Sequence, residues 1–188
     1  MIKKILASSI LIMILGLSAA YHYQSDPPER IITNDPSEFI LTEEEVLQRL
    51  RVTSKSTLTS DGFAEIMEQD NERIMNWGYD NGFIAHYIEE NASDFYIAVA
   101  RFEGIRGAEI AFEGIISSFS HRIDEIIRLK IGRESFSMER EKDIKSLLFR
   151  ESNILVYIDG TIAEDEMITY AEIVEEKIQK HLITNPDF

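Results

Sequence analysis

The sequence predicts an α+β domain: a mainly antiparallel sheet of about five strands flanked by helices, behind an N-terminal hydrophobic segment. Three observations predict it. Between residues 83 and 159, five short stretches are alternately or continuously apolar, as strands are. The stretches before, between and after them carry apolar residues at helical spacing. Three of the links between strands are too short for a crossover, so those neighbours pair antiparallel.

The chain opens with Lys3 and Lys4, then an uncharged run from Ile5 to Leu17, then Ser18, Ala19 and Ala20. This is the three-part layout of a secretory signal, with small residues at the −3 and −1 positions of a cut after Ala20. Spanning hydrocarbon takes about 20 apolar residues. The run reaches that length only if it extends to Tyr21 and Tyr23, whose rings suit the membrane interface. Residues 1–20 therefore read as a signal peptide or a membrane anchor, with attachment through residues 5–23 in the second case. Positive charge ahead of the run directs the rest of the chain outside the cytoplasm. Residues 21–38, with Pro27, Pro28 and Pro36 among acidic residues, read as a linker. Residues 39–184 read as a single α+β domain.

Within the domain, Thr42-x-x-Glu45 has the form of a capping box opening a short helix, with Glu43 and Glu44 in its first turn. Val52 to Thr59 reads as an edge strand or a loop. Phe63, Ile66, Met67, Ile74 and Trp77 make one helical stripe from Ser60, closed by Gly78. Phe83–Glu89 and Phe95–Phe102 read as strands, the second central because both its sides are apolar. Ala98 and Ala100 leave room for a helix over Ile105 to His121. Ile127, Leu129 and Ile131 alternate with Arg128 and Lys130 in a half-exposed strand that continues past Gly132 toward Phe136 and Met138. A charged turn over Glu139–Asp143 leads into strands Ile144–Arg150 and Ile154–Asp159. Thr161-x-x-Glu164 has the form of a second capping box, opening a terminal helix that buries Met167, Ile168, Ala171, Val174 and Ile178.

Composition bounds the chemistry. The chain has 188 residues, 34 acidic against 19 basic, for a net charge of −15. Residues 1–20 hold two lysines and no acid, so the exported part is more negative still. Such a surface repels nucleic acid and anionic headgroups. The chain contains no cysteine, which excludes a disulfide framework, thiolate metal sites, a thiol nucleophile and a Cys-linked lipid anchor.

No G-x-S-x-G elbow, P-loop, G-x-G-x-x-G or H-E-x-x-H is present. The four histidines, His22, His86, His121 and His181, share no metal-ligand spacing. His121 and His181 fall at helix C-termini, where a cation is favoured. His86, on a strand, is the candidate base if one exists. Glu89, Glu90, Asp94 and Glu103 lie at strand ends, the places where carboxylate pairs are assembled. Asp159-Gly160 reads as a turn leading into a helix cap. Trp77 reads as a plug at the end of its stripe, with ring stacking on a flat ligand as the alternative. Asn91-Ala92-Ser93 is an N-glycosylation sequon in an expected hairpin loop, making Asn91 a candidate modified residue. Arg122 to Arg150 holds eight basic residues against six acidic; this basic half reads as exposed strand and turn positions, or as a face toward an acidic partner. These residues assign no catalytic, cofactor or metal site.

Trp77-Gly78-Tyr79 with Gly82-Phe83, the Arg101-Phe102 strand end, Ala108 and Ala111-Phe112, Ile131-Gly132 with Phe136, and Leu148-Phe149-Arg150 before Asn153-Ile154-Leu155-Val156 resemble a broad group of exported prokaryotic domains, many archaeal. The group often carries an acid after the central glycine, where this chain has Arg133. In element order the chain is also similar to the PsbP/Mog1 type. The resemblance covers about 100 residues, rests on structural motifs, and implies an α+β fold without an activity. The expectation is an exported or membrane-anchored envelope protein, a non-catalytic domain that binds a ligand or partner. The alternatives are a carboxylate-dependent hydrolase of envelope material and a structural or assembly factor at the membrane.

Overall fold

The computed structural model describes residues 30–46, 50–89, 94–120, 126–141 and 143–184. Among the described residues seven strands form one sheet, two more than the periodicity predicts: β1 (Leu50–Thr57), β2 (Tyr79–Glu89), β3 (Asp94–Phe102), β4 (Ile126–Arg128), β5 (Glu134–Glu141), β6 (Ile144–Glu151) and β7 (Ile154–Gly160). Their order is β1-β2-β3-β7-β6-β5-β4, and every neighbouring pair is antiparallel. The α-helices among the described residues are α1 (Ser60–Ile66), α2 (Asn71–Asn76), α3 (Ile105–Ser120) and α4 (Glu164–Thr184).

The alternation of side chains along each strand splits the interior into two cores. On one face Ile97, Val99, Phe149, Val156 and Ile158 meet Met167, Tyr170, Val174 and Ile178 of α4. On the other Ala98, Ala100, Leu148, Leu155 and Tyr157 meet Ala108, Ala111, Phe112 and Ile115 of α3, with α1 and α2 alongside. Ala98 and Ala100, both fully buried, give α3 its close approach. Gly107 and Gly114 complete it, because a Cβ on Gly107 would collide with the Trp77 carbonyl and one on Gly114 would lie 2.6 Å from the indole ring. Trp77 is thus a half-buried plug, with the Arg73 guanidinium 5.9 Å from its ring centroid.

Four local expectations give way. The stripe over 60–77 is broken: α1 ends at Ile66, Glu68 takes φ +53, and Asp70 precedes α2, because Gln69-Asp70-Asn71 favours a turn. The expected strand over 127–138 is a hairpin of β4 and β5, reversed through Gly132 at φ +59, where a Cβ would meet the Arg150 carbonyl. This hairpin and the edge strand β1 account for the additional strands. Thr42–Val46 forms a turn, not a helix; Glu45 does accept from the Thr42 N–H at 2.8 Å, but its carboxylate is also taken by Lys177 at 2.6 Å. The capping box at Thr161 and Glu164 is also replaced: the Thr161 hydroxyl accepts from the Asp94 N–H, and Glu164 binds Lys145 at 3.2 Å. A capping box forms instead at Asp35 and Glu38, on a 3-10 turn over Pro36–Phe39.

Residues 30–46 are bound to the sheet. Fully buried Asn153, in the β6–β7 turn, receives the Ile32 N–H on Oδ1 at 2.7 Å and donates Nδ2 to the Ile32 and Phe102 carbonyls at 3.0 and 2.8 Å. Arg101 donates to the Thr33 and Asn34 carbonyls, Tyr87 to Leu41, and Lys177 to Ile40. Phe39, Ile40 and Leu41 enter the α4-side core. No helix among the described residues is long and apolar enough to cross a membrane.

Candidate functional site

A cleft of about 490 Å³ opens on the α3 side of the sheet. Strand order creates it. Helix α3 lies over β3, β7 and β6, and the β4–β5 hairpin extends the sheet beyond it. The floor and far wall carry Arg150, Glu134 and Arg128; the hairpin turn adds Leu129, Arg133 and Ser135; α3 supplies Ile105, in its first turn, and Glu109. The register brings these side chains together. Glu134 pairs with Arg150 across β5–β6, and Arg128 with Phe136 across β4–β5, so Arg128, Glu134 and Arg150 share one face.

Arg150 is buried, with its side chain 5% exposed. Its Nε donates to Glu134 Oε2 at 3.0 Å and its Nη1 to the Ser152 carbonyl at 3.1 Å. Glu134, by contrast, has a side chain 40% exposed. Arg128 is exposed and its guanidinium lies 5.4 Å from the Phe136 ring centroid. Arg106 holds Glu109 at 2.6 Å. The hydrogen bond from Arg106 is the main reason the Glu109 carboxyl stays below its ordinary range, with Arg150 acting more weakly in the same sense. Three guanidiniums against two carboxylates make this a locally positive place on a strongly negative chain. Guanidinium N–H groups in such a place have the chemistry to receive an anion.

The residues singled out by sequence are placed elsewhere. His86, half-buried in β2, pairs with Tyr96 across β2–β3, with ring centroids 5.5 Å apart. The same cross-strand row continues through Asp159 and Ser146. Asp159 is a buried strand residue and not part of a turn: its carboxylate accepts from the Ser146 hydroxyl and from Tyr157 at 3.0 Å. The carboxylate candidates do not all fall together. Glu89 and Asp94 lie at one end of β2 and β3, and Glu103 follows the opposite end of β3, roughly 30 Å away at strand rise. His181 lies in the last turn of α4, 3.7 Å from Glu38 and edge-on to Phe39. Among the described residues no three His, Asp or Glu side chains gather as metal ligands. His22, Glu90, Asn91 and His121 lie outside the described residues.

The basic bias of 122–150 marks the right stretch of chain, but its convergence on one cleft depends on the hairpin at Gly132, which alternation alone conceals. No protein-family model matches the chain, and no curated protein matches it. Among solved structures it is similar to the extracellular domain of PknH from Mycobacterium tuberculosis, with a TM-score of 0.58 and 11% identity over 77% of this chain and 94% of that one. A GTP binding regulator, TM1622 from Thermotoga maritima, aligns at a TM-score of 0.44 and 14% identity over 76% and 93%. The PknH likeness establishes a shared α+β fold and nothing finer; neither comparison speaks for archaeal kinship or the PsbP/Mog1 type.

Proposed function

We propose that this chain is an exported, non-catalytic binding domain, released or held outside the cytoplasmic membrane, which receives an anionic ligand or the acidic group of a partner in the α3–hairpin cleft. The cleft carries the reading: Arg128, Arg133 and Arg150 line one concave space in a protein whose net charge is −15. Its volume falls in the range of small-molecule sites, roughly 300–1,000 Å³. Export is supported by the signal-like layout of residues 1–20 and by the use of this fold as the extracellular domain of PknH. Binding is favoured over hydrolysis because Glu103 follows the opposite end of β3 from Asp94, and none of Asp94, Glu103 and His86 lines the cleft.

The test is a thermal-shift panel of anionic, neutral and cationic compounds on the full chain in detergent, beside an Arg128→Ala/Arg133→Ala variant. The reading expects a stabilising anion whose effect the variant loses. Stabilisation confined to neutral or cationic compounds, or retained in the variant, overturns it.

A further inference from the structure

Resting on that reading of the cleft, we propose that its ligand group is a phosphoryl group, and that Glu134 occupies Arg150 as an internal stand-in which the phosphoryl oxygens displace.

Arg150 and Glu134 are unequally buried. Arg150 is held in place: its side chain is 5% exposed, and a buried cation is costly to leave without an anionic neighbour. Glu134 is 40% exposed, and its Oε2 accepts from Arg150 Nε at 3.0 Å. Its carboxylate can swing into solvent and regain hydration. The pair is therefore open to exchange, with the arginine fixed and the carboxylate replaceable by a better anion.

A better anion has more oxygens to offer. One guanidinium fork satisfies a planar carboxylate. This cleft presents three guanidiniums from three places: β4 (Arg128), the hairpin turn (Arg133) and β6 (Arg150). That arrangement suits a tetrahedral group with three terminal oxygens and close to two negative charges. Arg128 is poised for it. Among the described residues it has no carboxylate partner, and the Phe136 ring orients it while leaving its N–H edges available.

The surroundings agree. Ile105 brings the first turn of the 16-residue α3 to the cleft, adding the positive end of its dipole. Open space surrounds the position of a Cβ on Gly104. Glu109 opposes an anion least because Arg106 already neutralises it at 2.6 Å.

The experiment titrates the full chain in a non-ionic detergent with inorganic phosphate, with succinate, and with mixed micelles of phosphatidic acid or phosphatidylcholine. Phosphate is expected to bind. Glu134→Gln, which keeps the shape and an acceptor for Arg150, should tighten that binding about tenfold by removing the competitor. Arg128→Ala should weaken it about tenfold. Binding of phosphatidic acid, but not phosphatidylcholine, with the same two responses supports the proposal and assigns the phosphoryl group to a lipid; response to inorganic phosphate alone supports it and assigns a soluble source.

Unchanged or weaker phosphate binding in Glu134→Gln overturns the exchange, as does succinate binding equal to phosphate. If Glu134→Gln unfolds, exposed Arg128→Ala still decides: unchanged phosphate affinity overturns the proposal. Should phosphate fail while another anion binds in an arginine-dependent way, this inference falls and the cleft remains the binding site. If no binding depends on the arginines, both fall.

Discussion

Replacing Asn153 by alanine removes one side chain that holds together three parts of the chain. Asn153 is fully buried, and its amide makes three hydrogen bonds of 2.7 to 3.0 Å to backbone, two with Ile32 and one to the Phe102 carbonyl, while its Oδ1 also accepts from the Ser152 hydroxyl at 3.3 Å. Each such bond contributes about 1 kcal/mol net, and each buried backbone group left without a partner adds a penalty of its own. Ile32 and Phe102 are both buried, so water does not reach these groups freely. The expected loss is about 3–5 kcal/mol, a large part of a typical domain's stability of 5–15 kcal/mol. With a urea m-value of about 2 kcal/mol/M, the midpoint falls by roughly 1.5–2.5 M. The chain's single tryptophan, Trp77, reports the transition. Asn153→Asp should be at least as damaging, because it sets a carboxylate against two carbonyl oxygens. A loss below about 1 kcal/mol in Asn153→Ala would refute the reasoning and show that residues 30–34 contribute little to the fold.

Three further outcomes follow from the packing, the electrostatics and the topology. Gly114→Ala gains about 1 kcal/mol of helix propensity, but its methyl would stand 2.6 Å from the Trp77 ring; overpacking of about 1–3 kcal/mol prevails, so the melting midpoint should drop and Trp77 emission should shift. Burial pushes the Glu45 carboxyl up, but hydrogen bonds from Lys177 and the Thr42 N–H outweigh it and hold the group below its ordinary range. With a folded value below the unfolded one, Glu45 contributes stability above about pH 4.5 that is lost as pH falls through the folded value; urea midpoints at pH 7 and pH 3 should therefore differ less in Glu45→Gln than in the parent. Because the chain has no cysteine, Ser56→Cys on exposed β1 gives one thiol; a membrane-impermeant maleimide should label it in intact cells, and labelling only after lysis would contradict export.

The fold class, strands β2, β3, β6 and β7, and helix α3 were legible because apolar periodicity and burial coincide there. Ile144–Glu151 and Ile154–Gly160 are joined by a tight turn in which Ser152 takes φ +54, as a two-residue connection between apolar strands requires. The β4–β5 reversal was hidden because alternation continues on both sides of Gly132, and a periodicity reading cannot tell a straight strand from one folded back on itself. The break between α1 and α2 was masked in the same way by a stripe that stays in phase across Gln69-Asp70-Asn71. Residues 30–38 read as linker because proline and acid density dominates them; Ile32 and Phe39 belong to the core through contacts with residues more than 100 positions away. The cleft was half legible. Arg128, Arg133 and Arg150 stood out as charge, but a one-residue slip in either hairpin register would send Arg128 or Arg150 to the opposite face, so only the folded sheet reveals that they share a site.

Hydrogen–deuterium exchange of the full chain, with and without the stabilising anion, tests the central claim most directly. The account predicts slowed exchange in the first turn of α3 around residues 105–109 and along the 128–135 hairpin, with the β1–β2 edge unchanged, and loss of that protection in Arg128→Ala/Arg133→Ala. Protection centred on β1–β2, or protection of 105–109 and 128–135 that survives removal of both arginines, would contradict it.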